Sequence, residues 1–215
     1  MPIDRSGVPF LVAAAIPAVA LVVLDLLWWA VPFVIVSGVF LFFFRDPPRH
    51  PPRAKGLVLA PADGRILVAG EVVSGDPPEG TWWQVSIFLS PIDVHINRVP
   101  IGGEVTHVHR QSGKFLAAYR SEASSSNERT EVAFRHNDVV IVCRQIVGVL
   151  ARRIVCRVSV GQEVQAGDRF GIMKFGSRID LFIPRTATIA VVPGQRVRGG
   201  ESVVARLPGY EKPEG

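Results

Sequence analysis

Val158-Ser-Val-Gly161-Gln162-Glu-Val164-Gln-Ala-Gly167-Asp168 recurs 33 residues later as Val191-Val-Pro-Gly194-Gln195-Arg-Val197-Arg-Gly-Gly200-Glu201. Each copy sets a glycine turn, an isolated valine and a second glycine turn ahead of another strand. The pair predicts two related hairpins packed about a pseudo-twofold axis. Upstream lie short apolar or alternating runs separated by glycine-containing turns: Leu57–Leu59, Arg65–Val68, Trp82–Leu89, Glu104–His109, Val132–Phe134, Val139–Val149 and Arg153–Val158. Their length and β-branched content predict strands, and their turn spacing a sandwich or barrel. Ser112–Asn127 departs from this pattern as a polar, Ala/Ser-rich loop with room for one helical turn. The expected fold is mostly β, a flattened barrel or sandwich.

Such paired hairpins are similar to the flattened β-barrels of biotinyl and lipoyl domains. Between the copies runs Gly171-Ile-Met-Lys-Phe-Gly-Ser-Arg-Ile-Asp-Leu-Phe-Ile-Pro184, which supports two readings. Met173-Lys174 looks like the Met-Lys of a biotin or lipoate carrier, which would make the chain a membrane-anchored carrier or export adaptor modified at Lys174. Gly176-Ser177 supports the other, a bond at which a protein cuts itself. The carrier reading leaves the Asp93/His95 segment unexplained, and Phe175-Gly176-Ser177 is not the usual sequel to a carrier lysine.

Positions 8 to 44 contain a single ionisable residue, Asp25. One helix of that length is too long for a bilayer, whereas runs 8–24 and 26–44 would each extend about 25–28 Å. A hydrophobic helical hairpin with Asp25 at its turn follows, because a carboxylate at mid-bilayer costs about 2.5–3.5 kcal/mol. Pro9, Pro17 and Pro32 fall within these runs, and Trp28 and Trp29 suit an interface. Arg5 at one end and Arg45, Arg49, Arg53 and Lys55 at the other place both ends on the cytoplasmic side of the cell membrane. The stretch is too long for a cleaved signal peptide and lacks its small-residue cleavage site. The expected organisation is a membrane segment over 1–46, a stiff proline-rich linker over 47–55 and a β-rich domain over 56–215. Whether the hairpin spans the membrane or dips into it stays open.

A net charge of +5 beside such a segment favours anionic phospholipid headgroups as partners over nucleic acid. Cys143 and Cys156 sit in apolar runs without metal-ligand spacing and read as buried free thiols in a reducing compartment, with a disulfide as the alternative left open.

The chemistry available at Gly176-Ser177 is specific. A serine hydroxyl can attack the carbonyl before it, turning amide into ester, and glycine leaves that carbonyl open while tolerating strained backbone. Loss of the serine α-proton then expels the upstream chain as a carboxylate. The dehydroalanine left behind takes up water and loses ammonia to become a pyruvoyl group. Three companions give the dipeptide its meaning: Phe43-Phe44-Arg45-Asp46-Pro47, Pro61-Ala62-Asp63-Gly64 and Phe88-Leu89-Ser90-Pro91-Ile92-Asp93-Val94-His95. With Gly113-Lys-Phe-Leu116, Asn127-Glu-Arg-Thr130 and Gln145-Ile-Val-Gly148-Val-Leu-Ala-Arg152, the chain from about Phe40 to Arg206 resembles the short-form phosphatidylserine decarboxylase proenzymes.

The resemblance implies conversion of phosphatidylserine to phosphatidylethanolamine at the membrane, with archaetidylserine open as a second substrate. It implies a β chain (1–176) and a pyruvoyl-bearing α chain (177–215) that stay associated, a higher oligomer being left open. The cofactor would be the pyruvoyl group made from Ser177, which forms a Schiff base with the substrate amine; neither pyridoxal phosphate nor a metal is called for. Ser177 would be nucleophile and precursor, His95 a general acid/base, and Asp63 the group orienting the cleavage base. Alternating spacing puts Asp93 and His95 on one face of an extended strand. Many members carry a second histidine where this chain has Arg98. Arginine cannot serve as a base at ordinary pH, so that role passes to His95, His107 or His109, while Arg98 is free to hold a substrate phosphate or carboxylate. By its matching place in the family, Asn127 is expected on a loop that either faces the substrate or stabilises the subunits.

Overall fold

The computed structural model describes residues 2–73, 76–149, 153–174 and 176–210, and the chain forms two units, Met1–Pro48 and Arg49–Gly215. In the first unit α1 (Val8–Val23) and α2 (Leu27–Phe43) lie side by side as a hairpin. Asp25 sits in the turn with φ +56°, a left-handed conformation that aspartate tolerates better than most residues. Small residues line the packed side, with Ala14, Ala18 and Ala30 buried, while Phe10 meets Phe40 and Phe44 at ring-centroid distances of 5.5 and 5.4 Å. Large apolar side chains face outward, among them Ile16, Val19, Val23, Trp28 and Ile35. Arg5–Val23 is long and apolar enough to cross a membrane, and Leu27–Phe43 is apolar but shorter.

The second unit contains β1 (Leu57–Leu59), β2 (Gly64–Glu71), β3 (Trp82–Leu89), β4 (Ile96–Arg98), β5 (Gly103–Gln111), β6 (Arg129–His136) and β7 (Val139–Val147). It continues with β8 (Ile154–Cys156), β9 (Glu163–Val164), β10 (Arg169–Met173), β11 (Ser177–Pro184), β12 (Thr188–Ile189), β13 (Arg196–Val197) and β14 (Val203–Arg206). A single helical turn, α3 (Ala123–Ser126), interrupts the 112–127 segment. Among the described residues these strands form three sheets: β13-β2-β3-β11-β7-β6-β5-β9, β4-β10-β8 and β1-β14-β12. None closes into a barrel, so the flattened sandwich is the form the fold takes.

The sequence repeat is a structural repeat. Gly161 and Gly194 have φ +83° and +88°, and Gly167 and Gly200 have +87° and +76°, a region in which residues with a Cβ are disfavoured. Between each pair lies a two-residue strand, β9 or β13, at opposite ends of the large sheet. Gly161 N–H donates to Val105 O, whose own N–H donates to Gln162 O; Gly194, Ile66 and Gln195 repeat both bonds. The side chains of Gln162 and Gln195 each accept from the backbone three residues earlier, at Ser159 and Val192. β11 lies between β3 and β7 near the middle of the sheet, and its alternate residues Ile179, Leu181 and Ile183 enter the apolar core with Val85, Ile87 and Leu89 of β3.

Candidate functional site

β10 is paired antiparallel with β4, Ile172 opposite Ile96, and the next rung joins Met173 N–H to the carbonyl of His95 at 3.3 Å. Register therefore delivers His95 to the chain just before the Gly-Ser bond. Beyond Lys174 the chain passes Phe175, which lies outside the described residues, to Gly176. Gly176 has φ +73° and open space where a Cβ would stand. Ser177 then opens β11, flanked by Leu89 and Val147. It is wholly buried, and its Oγ has no hydrogen-bond partner among the described residues. A buried hydroxyl without a partner is costly and calls for a reason.

His95 is also wholly buried. Its Nε2 accepts the Gly176 N–H at 3.2 Å, and its Nδ1 meets the backbone carbonyl of Asp93 at 2.9 Å. An amide N–H only donates and a carbonyl only accepts, so the ring is neutral with its proton on Nδ1 and its lone pair on Nε2. The Nε2 electron pair is thus directed at the N–H of the peptide immediately upstream of Gly176-Ser177.

Gly148 follows β7 and completes the site. A Cβ there would stand 2.4 Å from the carbonyl oxygen of Gly176 and 3.3 Å from Ala118 Cβ. Its missing side chain is the space that the carbonyl before Ser177 occupies. A cavity of about 170 Å³ adjoins this point, lined by Phe88, Pro91, Ala118, Tyr119, Val149 and Gly176 among others. Behind the strand, Arg178 and Asp180 form a buried pair at 2.6 Å, extended by Arg178 to Ser86 Oγ and by Ser124 Oγ to Asp180. Arg178 also donates to Arg120 O, tying the 112–127 segment to β11. A desolvated pair of this kind is stable only when its remaining polar atoms are satisfied, which these bonds achieve.

Several expectations change in the folded chain. Asp93 and His95 do not share a strand face, because Ser90–Asp93 forms a turn in which the Asp93 carboxylate accepts Ser90 N–H and Oγ at 2.9 and 2.7 Å. Asp93 reaches the histidine through its backbone carbonyl instead. The Asp63 carboxylate accepts from Arg49 at 2.7 Å and from Gly199 N–H at 2.8 Å. Asp63 and Asp93 do line a common cavity of about 270 Å³ with Arg196 and Arg198. Arg98 is buried and donates to Gly167 O at 3.0 Å, inside the first turn repeat. Asn127 spends its amide on the backbone, donating to Leu116 O and Val147 O and accepting Leu116 N–H. These bonds tie Leu116 to the end of β7. His107 and His109 lie exposed on β5, three strand spacings or roughly 14 Å from β11. Of the motif at 145–152, residues 150–152 lie outside the described residues.

Gly148 and the Arg178–Asp180 pair, which pack around the Gly-Ser bond, were not singled out in the sequence. The pair left a signal, since Arg178-Ile-Asp180 alternates directly after Ser177. Gly148 left only its place in a motif. Neither cysteine takes part: both are free thiols, and burial raises the pKa of Cys143 well above the ordinary thiol range and that of Cys156 less fully.

These contacts define a class of protein, a β-rich fold that sets one buried histidine against the peptide before a buried Gly-Ser bond. Comparison with known proteins narrows the class. Residues 36–205 match the phosphatidylserine decarboxylase family. A phosphatidylserine decarboxylase proenzyme of Pelodictyon phaeoclathratiforme is 44% identical over 201 residues, covering 92% of this chain and 93% of that protein. Proenzymes of the same name from Granulibacter bethesdensis and Mycolicibacterium smegmatis are 45% and 42% identical, over 93% and 96% of this chain and 83% and 90% of their own length. The chain belongs to the phosphatidylserine decarboxylase family. That membership overturns the carrier reading of Lys174, a partly buried residue between β10 and β11.

Proposed function

We propose that the chain is a proenzyme that cleaves itself between Gly176 and Ser177 and then decarboxylates phosphatidylserine to phosphatidylethanolamine. The observation that carries this reading is the lone pair of His95 Nε2 on the Gly176 amide beside a buried, unbonded Ser177 hydroxyl. His95 takes the hydroxyl proton as Oγ adds to the Gly176 carbonyl carbon, and the amide becomes an ester. Removal of the Ser177 α-proton breaks the ester C–O bond and releases 1–176 as a carboxylate. Addition of water and loss of ammonia leave a ketone at the head of 177–215.

The residues present fit such a group. The Ser177 side chain has no bond to give up, Gly176 leaves open space, and the cavity of about 170 Å³ adjoins both. The ketone supplies an electrophile for the substrate amine and a sink for the electron pair left when carbon dioxide departs. His95 Nε2, the ring atom that faces the site, takes up a proton and returns it to carbon, while Nδ1–H stays on the Asp93 carbonyl and orients the ring. Asp93, Asp63, Arg98 and Asn127 act as positioning residues: the turn before His95, the Arg49 and Gly199 contacts, the Gly167 turn and the cavity wall depend on them in that order. The two chains stay together because β11 is paired on both sides with strands of the 1–176 piece.

Residues 1–46 insert into the cell membrane, 47–55 form the linker, and the catalytic domain over 56–215 works at the anionic phospholipid surface on the cytoplasmic side. Support comes from the apolar length of Arg5–Val23 and the basic residues flanking the hairpin. The test is carbon dioxide release from phosphatidylserine in mixed micelles by the purified full chain. The wild type is expected to yield stoichiometric phosphatidylethanolamine and Ser177→Ala none. A cleaved wild-type enzyme that releases no carbon dioxide from phosphatidylserine would overturn the substrate assignment.

A further inference from the structure

We infer that the rim of the cavity beside Gly176 is itself a bilayer-docking surface, by which the catalytic domain seats on an anionic lipid leaflet. The inference rests on the decarboxylase reading above and identifies the face that meets the substrate. Ile92, Phe115, Tyr119 and Val149 are 64%, 39%, 63% and 55% exposed. Single exposed apolar residues are ordinary, but Tyr119 and Val149 line one opening together with Pro91 and Ala117, and Ile92 and Phe115 stand beside that lining in the chain. In the segment that supplies Ala117, Ala118 and Tyr119 to the lining, Lys114 and Arg120 are exposed, and no acidic residue occurs from Ser112 to Ser121.

The rim is held in place. Tyr119 packs edge-on against Phe88 with ring centroids 6.2 Å apart. Leu116 is clamped by Asn127, and the carbonyl of Arg120 accepts from Arg178. Apolar side chains are thus presented outward by a segment anchored to β7 and β11, together with two cations suited to an anionic surface.

Size identifies the occupant. About 170 Å³ is below the usual range for sites that enclose a drug-sized ligand, so a diacyl lipid cannot be engulfed there. Its headgroup can reach Gly176 only while its acyl chains remain outside, against the apolar rim. A leaflet that keeps the chains supplies both the apolar contact and the negative charge.

Two measurements on the full chain test this. The first compares turnover of phosphatidylserine in vesicles with turnover of a short-chain, monomeric phosphatidylserine, in the wild type and in an Ile92→Glu/Phe115→Glu double variant. The vesicle reaction is expected to fall by about tenfold or more in kcat/KM, with the monomeric reaction within about twofold of wild type. Equal rates of variant and wild type on vesicles would overturn the inference. A wild type inactive on both substrates would instead sink the decarboxylase reading. The second measurement is independent of activity and of the variant's folding: amide hydrogen exchange of the chain in anionic and in zwitterionic bilayers. Protection over 112–121 that requires anionic lipid supports the inference. Unchanged exchange overturns it, as does protection that depends on protein concentration and not on lipid, which would assign the rim to a second copy of the chain.

Discussion

The two turn repeats share glycines, glutamines and backbone bonds, yet only one leads to the Gly-Ser bond and its histidine. After Gly167 the chain forms β10, which lies against β4 and so meets His95; after Gly200 it forms β14, which lies between β1 and β12. The first copy then crosses to a glycine with φ +73° and a buried serine, whereas the second runs on to Leu207, a core residue. The repeat is a scaffold with two equivalent places. What differs is the strand laid against it, and the candidate site lies where that strand is entered from a histidine.

The largest expected effect comes from removing that difference. His95→Ala leaves both repeats intact but deletes the base, and self-cleavage should slow by about 10²–10⁴-fold, read as the fraction of chain cut over time. His95→Gln can still accept the Gly176 N–H, so cleavage as fast as wild type in this variant would show that the histidine merely positions the bond. Gly148→Ala comes next. A methyl group 2.4 Å from the Gly176 oxygen must displace the carbonyl that Ser177 attacks, and displacements near 1 Å cost about a hundredfold in rate. Cleavage should fall by that order while the fold survives.

The third prediction concerns the likeness of the two copies. Gly161 and Gly194 have nearly equal φ, and neither has an atom within 4 Å of its Cβ position. Alanine at either should therefore pay only the left-handed backbone penalty, about 1–2 kcal/mol, and chemical denaturation should find equal losses. Unequal losses would break the pseudo-symmetry. The smallest effect belongs to Glu201 in the second copy. Burial tends to raise its pKa, but the His50 N–H and Arg49 outweigh this and hold it below the ordinary glutamate range. A folded-state value below the unfolded one stabilises the protein above the unfolded value, and the contribution is lost as pH falls through the folded one. For a partly exposed pair this amounts to less than about 1 kcal/mol. Glu201→Gln should flatten that acid limb of a stability–pH curve.

Much of this was legible because it is local. Asp25 interrupts an apolar run, glycine spacing repeats, and β-branched runs end at turns, so the hairpin, the repeat and most strands could be read directly. β4 was not, since three buried residues of mixed polarity, Ile96–Arg98, carry no period. The Asp93-Val-His95 alternation misled because Ser90 and Pro91 begin a turn that overrides it. Whether the sheet closes depends on which edges pair, which no short window records. Gly148 could not be recognised because its reason is an oxygen 28 residues away in sequence, and Asn127 looked like a loop residue until its bonds to Leu116 and Val147 were seen.

The measurement that bears most directly on the central claim is the denatured intact mass of the purified protein, wild type and Ser177→Ala. Two fragments meeting at 176/177, the smaller one lighter than encoded because an amine has become a ketone, are the predicted wild-type result, with a single uncut chain for the variant. One full-length mass for both, differing only by the serine oxygen, would contradict the account.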